Sequence, residues 1–470
     1  MDALKAAGLS VDGINLSMVN KMMEEHMPID KTSLNQMYQL VQDNKDINVT
    51  TLVELKRLGI EINQVNAAQF ENYANDKQAI TIAMDSLMDE LPNALSAEDL
   101  SMYKLVTQAR DILNIVTEGL PEEAFISSEA SDMSQYEAIM RDNQSAPVVK
   151  KHFNIAELFE SLNSVSGESQ DIHTTQKINN APATDTILLQ ENETKSNTIG
   201  FLLSDKQIEE LNEQVRMLLP NLQENNISLY SEDSSVVGIL NDIKSMLENT
   251  PANADTLRHL FSGEAFKLML KEALEQQWMI KPGDLEKNPK KLDGLYDKIE
   301  KQITNMEIIL KTSGVVNPKA EALADNIRGN IEFMNQINEA YTYVQVPLKM
   351  NEKNASGQLY VYTNKKSMSN PDKELSAFLH LDLEHLGGTD VSIKMLHRKV
   401  TTNFYLDSDE SYALVKQFLP VLEKRLQDKG YNCELNVNSG LKQMNFVAGF
   451  LKKDLPPTGQ VHRYSFDIRA

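Results

Sequence analysis

A chain of 470 residues, 41% hydrophobic and 6% aromatic, has material for more than one core, filled by Leu, Ile, Val and 21 Met around the single Trp278. Its formal charge of −22, with 68 acidic against 46 basic residues and no basic run, argues against nucleic acid and anionic membrane surfaces as partners. The lone Cys433 excludes a disulfide framework and an intrachain thiolate zinc site, and it reads as a small buried residue in a strand.

The first residues, from Met1 to Gly8, carry neither a basic stretch nor an apolar one, so no cleavable secretory signal is expected. No apolar run approaches the roughly 18 residues of a membrane span. Cytoplasmic synthesis without membrane insertion is the expectation, and export by a route that uses no cleaved signal stays open.

Residues 1–163 read as helices joined by short turns. Leu16, Val19 and Met22 or Met23 recur at helical spacing until Pro28 interrupts them. Asp30 can cap a helix carrying Leu34, Met37, Tyr38 and Val41. A short helix from Thr51 carries Leu52, Leu55 and Leu58 and stops at Gly59. A longer one is expected from Asn63, with Phe70, Tyr73, Ile80, Met84, Leu87 and Leu91 along one stripe. The turns at Leu9–Asp12, Met27–Asp30 and Leu58–Asn63 each set an aliphatic residue just before a capping side chain, the arrangement of a hydrophobic staple. Met279–Asp284 is a looser version. This reads either as a degenerate helix-turn-helix repeat or as the reuse of good caps.

Residues 164–199 are rich in Ser, Thr, Asn and Gln and hold too little apolar surface to offset ordering entropy, which predicts a flexible polar linker. Residues 200–340 return to helix. Their stripes are Leu211, Val215, Leu218 and Leu219; Leu257, Leu260, Phe261, Phe266, Leu268 and Leu270; Ile299, Ile303, Ile308 and Ile309; and Ile327, Ile331, Met334 and Ile337. From Tyr341 the period changes to 2. Strands are expected at Tyr341–Val346, with Pro347 marking an edge, and at Gln358–Tyr362 after a polar loop holding Asn351, Asn354, Ser356 and Gly357. Further strands follow at Leu375–Leu383, Val391–Met395 and Val400–Leu406. A helix capped by Ser408 or Asp409, with Pro420 inside it, should pack on the sheet through Leu414, Val415, Phe418, Leu419, Leu422 and Leu426. Tyr431–Val437 is another strand, and Tyr464, Phe466 and Ile468 alternate in a final one. The expected fold is α+β and multidomain. Its N-terminal and central regions are mostly helical, and residues 341–470 form a small mixed β-sheet with one packed helix.

The segment Leu379–Ile393, with its strand, Leu386-Gly387 turn and returning strand, resembles the C-terminal domain of flagellar hook-length control proteins. The next strand, the amphipathic helix ending at Leu422–Leu426 and the strand from Tyr431 keep that family's order, so the resemblance spans about residues 358–440. Two departures stand out. Leu383, Glu384 and His385 lie where the family has proline before the Leu-Gly pair, and the preceding regions are richly helical rather than polar. The resemblance implies a non-enzymatic role in flagellar type III export. Such a protein is exported through the flagellar channel without a cleaved signal, and its C-terminal domain switches the export gate from hook to filament substrates. The implied partners are a flagellar export-gate protein and hook proteins. Leu386, Gly387, Gly388 and Asp390, with the adjoining strand edges, are the expected partner-binding residues.

His380, His385 and His397, with Asp382 and Glu384, are the only histidine cluster, and their spacing matches no standard zinc motif. Alternation puts His380, Asp382 and Glu384 on one face of a strand, read as its solvated side. Gly387-Gly388 precedes a strand, not a helix, so it offers no helix N-terminus to a phosphate. No acid, base and nucleophile set can be assembled, and no cofactor, catalytic residue or metal ligand is expected. The final Arg463–Arg469 stretch reads as a terminal strand with a solvated face, or as a binding surface. Two functions compete: a regulator of export switching, and a helical adaptor or scaffold that retains the fold without controlling hook length.

Overall fold

The computed structural model describes residues 2–96, 100–120, 198–218, 229–249, 253–292, 294–314, 317–350, 353–362 and 372–441. It is an α+β protein whose six-stranded mixed sheet follows a long series of helices. The first part comprises α1 (Asp2–Ala7), α2 (Gly13–Glu24), α3 (Lys31–Asp43), α4 (Val49–Leu58), α5 (Gln64–Ala74), α6 (Ile80–Leu95) and α7 (Met102–Thr117). The second holds α8 (Ile199–Leu202), α9 (Asp205–Leu218), α10 (Val236–Asn249), α11 (Ala254–Ser262), α12 (Glu264–Trp278), α13 (Pro282–Lys287), α14 (Leu295–Ser313) and α15 (Pro318–Ala340).

The corners between the first helices share one closure. Asp12, Asp30 and Asn63 cap α2, α3 and α5 by accepting backbone N–H groups of the first turn. Ahead of each cap the chain turns through positive φ, at Gly8, His26 and Gly59. The next residue's N–H then closes back on the preceding helix: Leu9 on Leu4, Met27 on Met22 and Ile60 on Leu55. Asp76 turns in the same way between α5 and α6, and Lys77 N–H reaches the Asn72 carbonyl at 2.8 Å. That corner splits the single long helix expected from Asn63. Phe70 and Tyr73 lie on α5, while Ile80, Met84, Leu87 and Leu91 lie on α6. The helix after Ile47 begins at Val49 rather than Thr51, because Asn48 caps it.

Helices from before residue 120 and after residue 198 share one continuous apolar core. α6 and α5 pack on α15, and α7 packs on α10 and α14. At the α5–α15 crossing a Cβ on Gly329 would lie 2.6 Å from Val65 Cγ1, so a side chain there would require Val65 to shift. A buried polar network runs through the same crossing. Tyr73 donates to Asn330 Oδ1 at 2.9 Å, Gln345 donates to the same oxygen at 2.9 Å, and Asn330 Nδ2 donates to the Gln78 carbonyl at 2.7 Å. Of the alternatives Met22 and Met23, Met22 is buried and Met23 exposed; Ile308, expected on an apolar stripe, is exposed, and Met306 and Leu310 take buried positions beside it. The expected linker 164–199 lies outside the described residues except for Thr198, which bridges to Ser235, and Ile199, which opens α8.

The sheet runs in sequence order: β1 (Thr342–Met350), β2 (Lys353–Val361), β3 (Leu375–Leu383), β4 (Gly387–Leu396), β5 (Lys399–Leu406) and β6 (Asn432–Ser439). Neighbours from β1 to β5 are antiparallel, and β6 returns parallel to β5 after α16 (Asp409–Asp428). β1 is buried on both faces up to Lys349, unlike an ordinary edge strand. Ile280 accepts from Lys349 N–H and donates to the Pro347 carbonyl, so the loop after α12 covers that edge. The polar loop expected around Asn351 is shorter than predicted, since Asn354, Ser356 and Gly357 already pair in β2. The last strand expected at Tyr464–Ile468 lies outside the described residues.

Candidate partner-binding surface

Pleating gives the sheet two unlike faces. One carries the row Val344, Leu359, Leu379, Val391, Phe404 and Val437, each opposite the next. Its Thr389, Val391, Val400, Thr402 and Leu406 are buried. The other face carries Tyr343, Tyr360 and Phe378, whose rings stack in sequence with centroids 5.0 and 6.0 Å apart beside Tyr73 of α5. The same face carries Gln345, Gln358, His380 and Asp390. His380 therefore faces the helical body and not solvent as alternation alone had placed it. Both faces of β3 are partly covered: Phe378 is buried on the side of His380, Leu375 on the side of Leu379 and Leu381, and Asp382 is exposed as alternation predicts.

The four expected partner-binding residues divide accordingly. Leu386 and Gly387 sit in the tight β3–β4 turn, Gly387 at φ +66 and opposite Leu383. Gly388 lies beneath Leu441, whose Cδ1 would be 2.8 Å from an added Cβ. Asp390 is only 2% exposed and holds His380 Nδ1 at 2.6 Å. That carboxylate is spent within the protein, whereas Leu386, Gly387 and Gly388 are half-buried and reach the surface. The imidazole of His380 is held above the ordinary histidine range by its bond to Asp390, against the opposing pull of partial burial. His385 belongs to the β3–β4 turn and His397 to the β4–β5 turn, so the sequence cluster of histidines is spread along the strands.

The turn is fastened to α16. Ser408 caps the helix by accepting Ser411 N–H at 3.1 Å, and Ser411 Oγ donates to the Leu386 carbonyl at 2.9 Å. Along α16 from that anchor, Leu414, Phe418 and Val421 stand 46, 56 and 51% exposed. Their i, i+4, i+7 spacing makes one stripe. Leu414 and Phe418, expected on the packed side, are therefore turned to solvent together with Val421. The available signal was excess: the apolar arc of α16 is wider than one sheet contact can cover. Cys433 is half-buried in β6, near the edge of the sheet, rather than fully enclosed.

Residues 363–446 match the family model described as flagellar hook-length control protein FliK. This segment is similar to the hook-length control family. It covers under a fifth of the chain, and within it fall β3 to β6, α16, the β3–β4 turn and the exposed stripe. No curated protein and no solved structure matches the chain. No described helix is long and apolar enough to cross a membrane.

Proposed function

We propose that this protein regulates substrate switching in flagellar type III export, without catalysis, through the hook-length control segment. The observation that carries the reading is the coincidence of the family match with a surface-exposed apolar feature. The Leu386–Gly388 turn is bonded to α16, and α16 presents Leu414, Phe418 and Val421 to solvent. Apolar side chains kept in water at helical spacing are the kind of surface a protein partner covers. In this reading the partners are an export-gate protein and hook proteins, and the chain reaches them by a route that uses no cleaved signal.

The test is hook length by electron microscopy after deletion of the gene in its host. Abnormally long hooks without filaments, restored by the wild-type gene but not by Leu414→Asp with Phe418→Asp, are expected. Both substituted positions are exposed, so the folded protein should accumulate normally. Normal hooks in the deletion strain would refute the switching role. The adaptor reading would then lead, supported by the extent of the helical body that shares one core with β1 and β2.

A further inference from the structure

The exposed apolar stripe of α16 is bounded by charge of opposite sign at its two ends. Glu410 lies four residues before Leu414 and Arg425 four residues after Val421, and both are exposed. At 3.6 residues per turn, Glu410, Leu414, Phe418, Val421 and Arg425 fall within about a quarter of the helix circumference. One face of the helix therefore reads acid, three apolar side chains, base. Acids at a helix start and bases at its end suit the helix dipole on any face; here one of each also closes an apolar stripe. The other side of α16 is occupied, since Val415, Leu419, Leu422 and Leu426 are half-buried and the helix packs chiefly on β6. β6 is the last strand of the sheet, so α16 lies at its margin.

We propose that this face pairs with the same face of a second copy of the chain, the two α16 helices lying antiparallel about a twofold axis near Phe418. A contact of that symmetry uses one patch twice, so the patch must complement itself. The order acid, apolar, base does so only when the helices run in opposite directions. Leu414 of one copy then lies against Val421 of the other, the two Phe418 rings meet near the axis, and Glu410 faces Arg425 at either end. A parallel pair would set Glu410 against Glu410 and Arg425 against Arg425. Gln417, also near the axis, is uncharged, and Asp428 falls beyond the start of the facing helix.

The formal charge of −22 opposes association at long range. At about 0.15 M salt that repulsion is screened beyond roughly 8 Å, which leaves the apolar contact and the end pairs to decide. From Glu410 to Arg425 the contact runs about 22 Å along the helix. One helix face is less than a standard interface buries, so the pair is weak and reversible. The inference rests on the face of α16 and not on the switching role, so the two fail separately: hook length tests one and association state the other.

Sedimentation velocity of the full chain, at concentrations from about 5 to about 200 μM, tests the pairing. The wild type should shift from monomer toward dimer as concentration rises, and Leu414→Asp with Phe418→Asp should stay monomeric throughout. Glu410→Arg and Arg425→Glu, each alone, set like charges at both ends and should weaken association about fivefold or more. Combined in one chain they should return it to near the wild-type value. That rescue separates pairing from loss of fold, because the double variant opposes the helix dipole more than either single one. A wild type monomeric at every concentration, a dimer that survives Leu414→Asp with Phe418→Asp, or a double reversal no better than the singles overturns the proposal.

Discussion

Asn330 is the polar residue on which the centre of the body depends most. Its oxygen takes both the Tyr73 hydroxyl and the Gln345 amide, and its own amide satisfies the Gln78 carbonyl. Asn330→Ala strands buried donors and an acceptor at once, each costing about 1–3 kcal/mol when left without a partner. We expect a loss of about 3 kcal/mol or more in chemical denaturation, larger than for Tyr73→Phe, which removes one hydroxyl and leaves the Gln345 bond to Asn330 in place. A loss below about 1 kcal/mol would mean that water replaces the side chain, against the burial of all three partners. At Gly387 the argument is steric. Its φ of +66 lies in the left-handed region, where a Cβ costs roughly 1–2 kcal/mol. Gly387→Ala should lower stability by about that amount, measured by thermal or urea unfolding, while Gly387→Asn costs less. Equal cost for the two would count against backbone strain as the cause, since an added Cβ meets Asp407 only at an ordinary contact distance of 3.6 Å.

At the scale of elements, the sheet is divided between two tasks. β1 and β2 belong energetically to the helices: β1 is buried on both faces, and Tyr343 and Tyr360 extend the aromatic contact with Tyr73 and Phe333. Lys349 forms an enclosed ion pair with Glu272 and Glu275 of α12. A fragment ending at residue 340 would lose these strands and uncover the body, whereas one ending at residue 362 keeps them. We expect the 1–362 fragment to melt cooperatively and the 1–340 fragment to be partly unfolded and protease-sensitive, by circular dichroism and limited proteolysis. A cooperative 1–340 fragment would show that β1 and β2 are additions rather than core. The periodicity of the sequence was enough to locate β3, β5, α3 and α16 nearly to the residue, because caps such as Asp30 and Ser408 and the alternation of Val400, Thr402 and Leu406 are local signals. It could not reveal that Asp76 breaks the stripe from Phe70 to Leu91, since aspartate in a left-handed turn leaves no mark in apolar spacing. Nor could it show that both faces of β3 are partly covered. Leu379 and Leu381 mark one inner side, but Phe378 is buried on the other, near Tyr73 of the distant α5. Asp390 was picked for the surface on the family pattern, and its enclosure by His380 depends on a strand pairing that no local signal specifies.

At the scale of the molecule, burial is greatest at β1, intermediate across β3 to β5 and least at β6. β1 is enclosed from Thr342 to Leu348 and beyond, whereas β6 alternates exposed and half-buried positions, and on α16 only Ser411 is buried. Local opening free energy follows the apolar contacts that opening would break, so the two ends of one hydrogen-bonded sheet should not share one stability. We expect amides of β1 and β2 to exchange only through global unfolding, with protection that follows denaturant sensitivity. Those of β6 and α16 should exchange orders of magnitude faster, through openings insensitive to low denaturant. The gradient has a consequence for a protein that must present Leu414, Phe418 and Val421 to a partner. α16 can shift on the sheet, or leave it, without disturbing the core shared by the helices with β1 and β2. Uniform protection across all six strands would contradict this, because it would make α16 and β6 part of the same cooperative unit as Trp278 and Tyr343. Partner binding at the stripe would then have to act on a rigid surface.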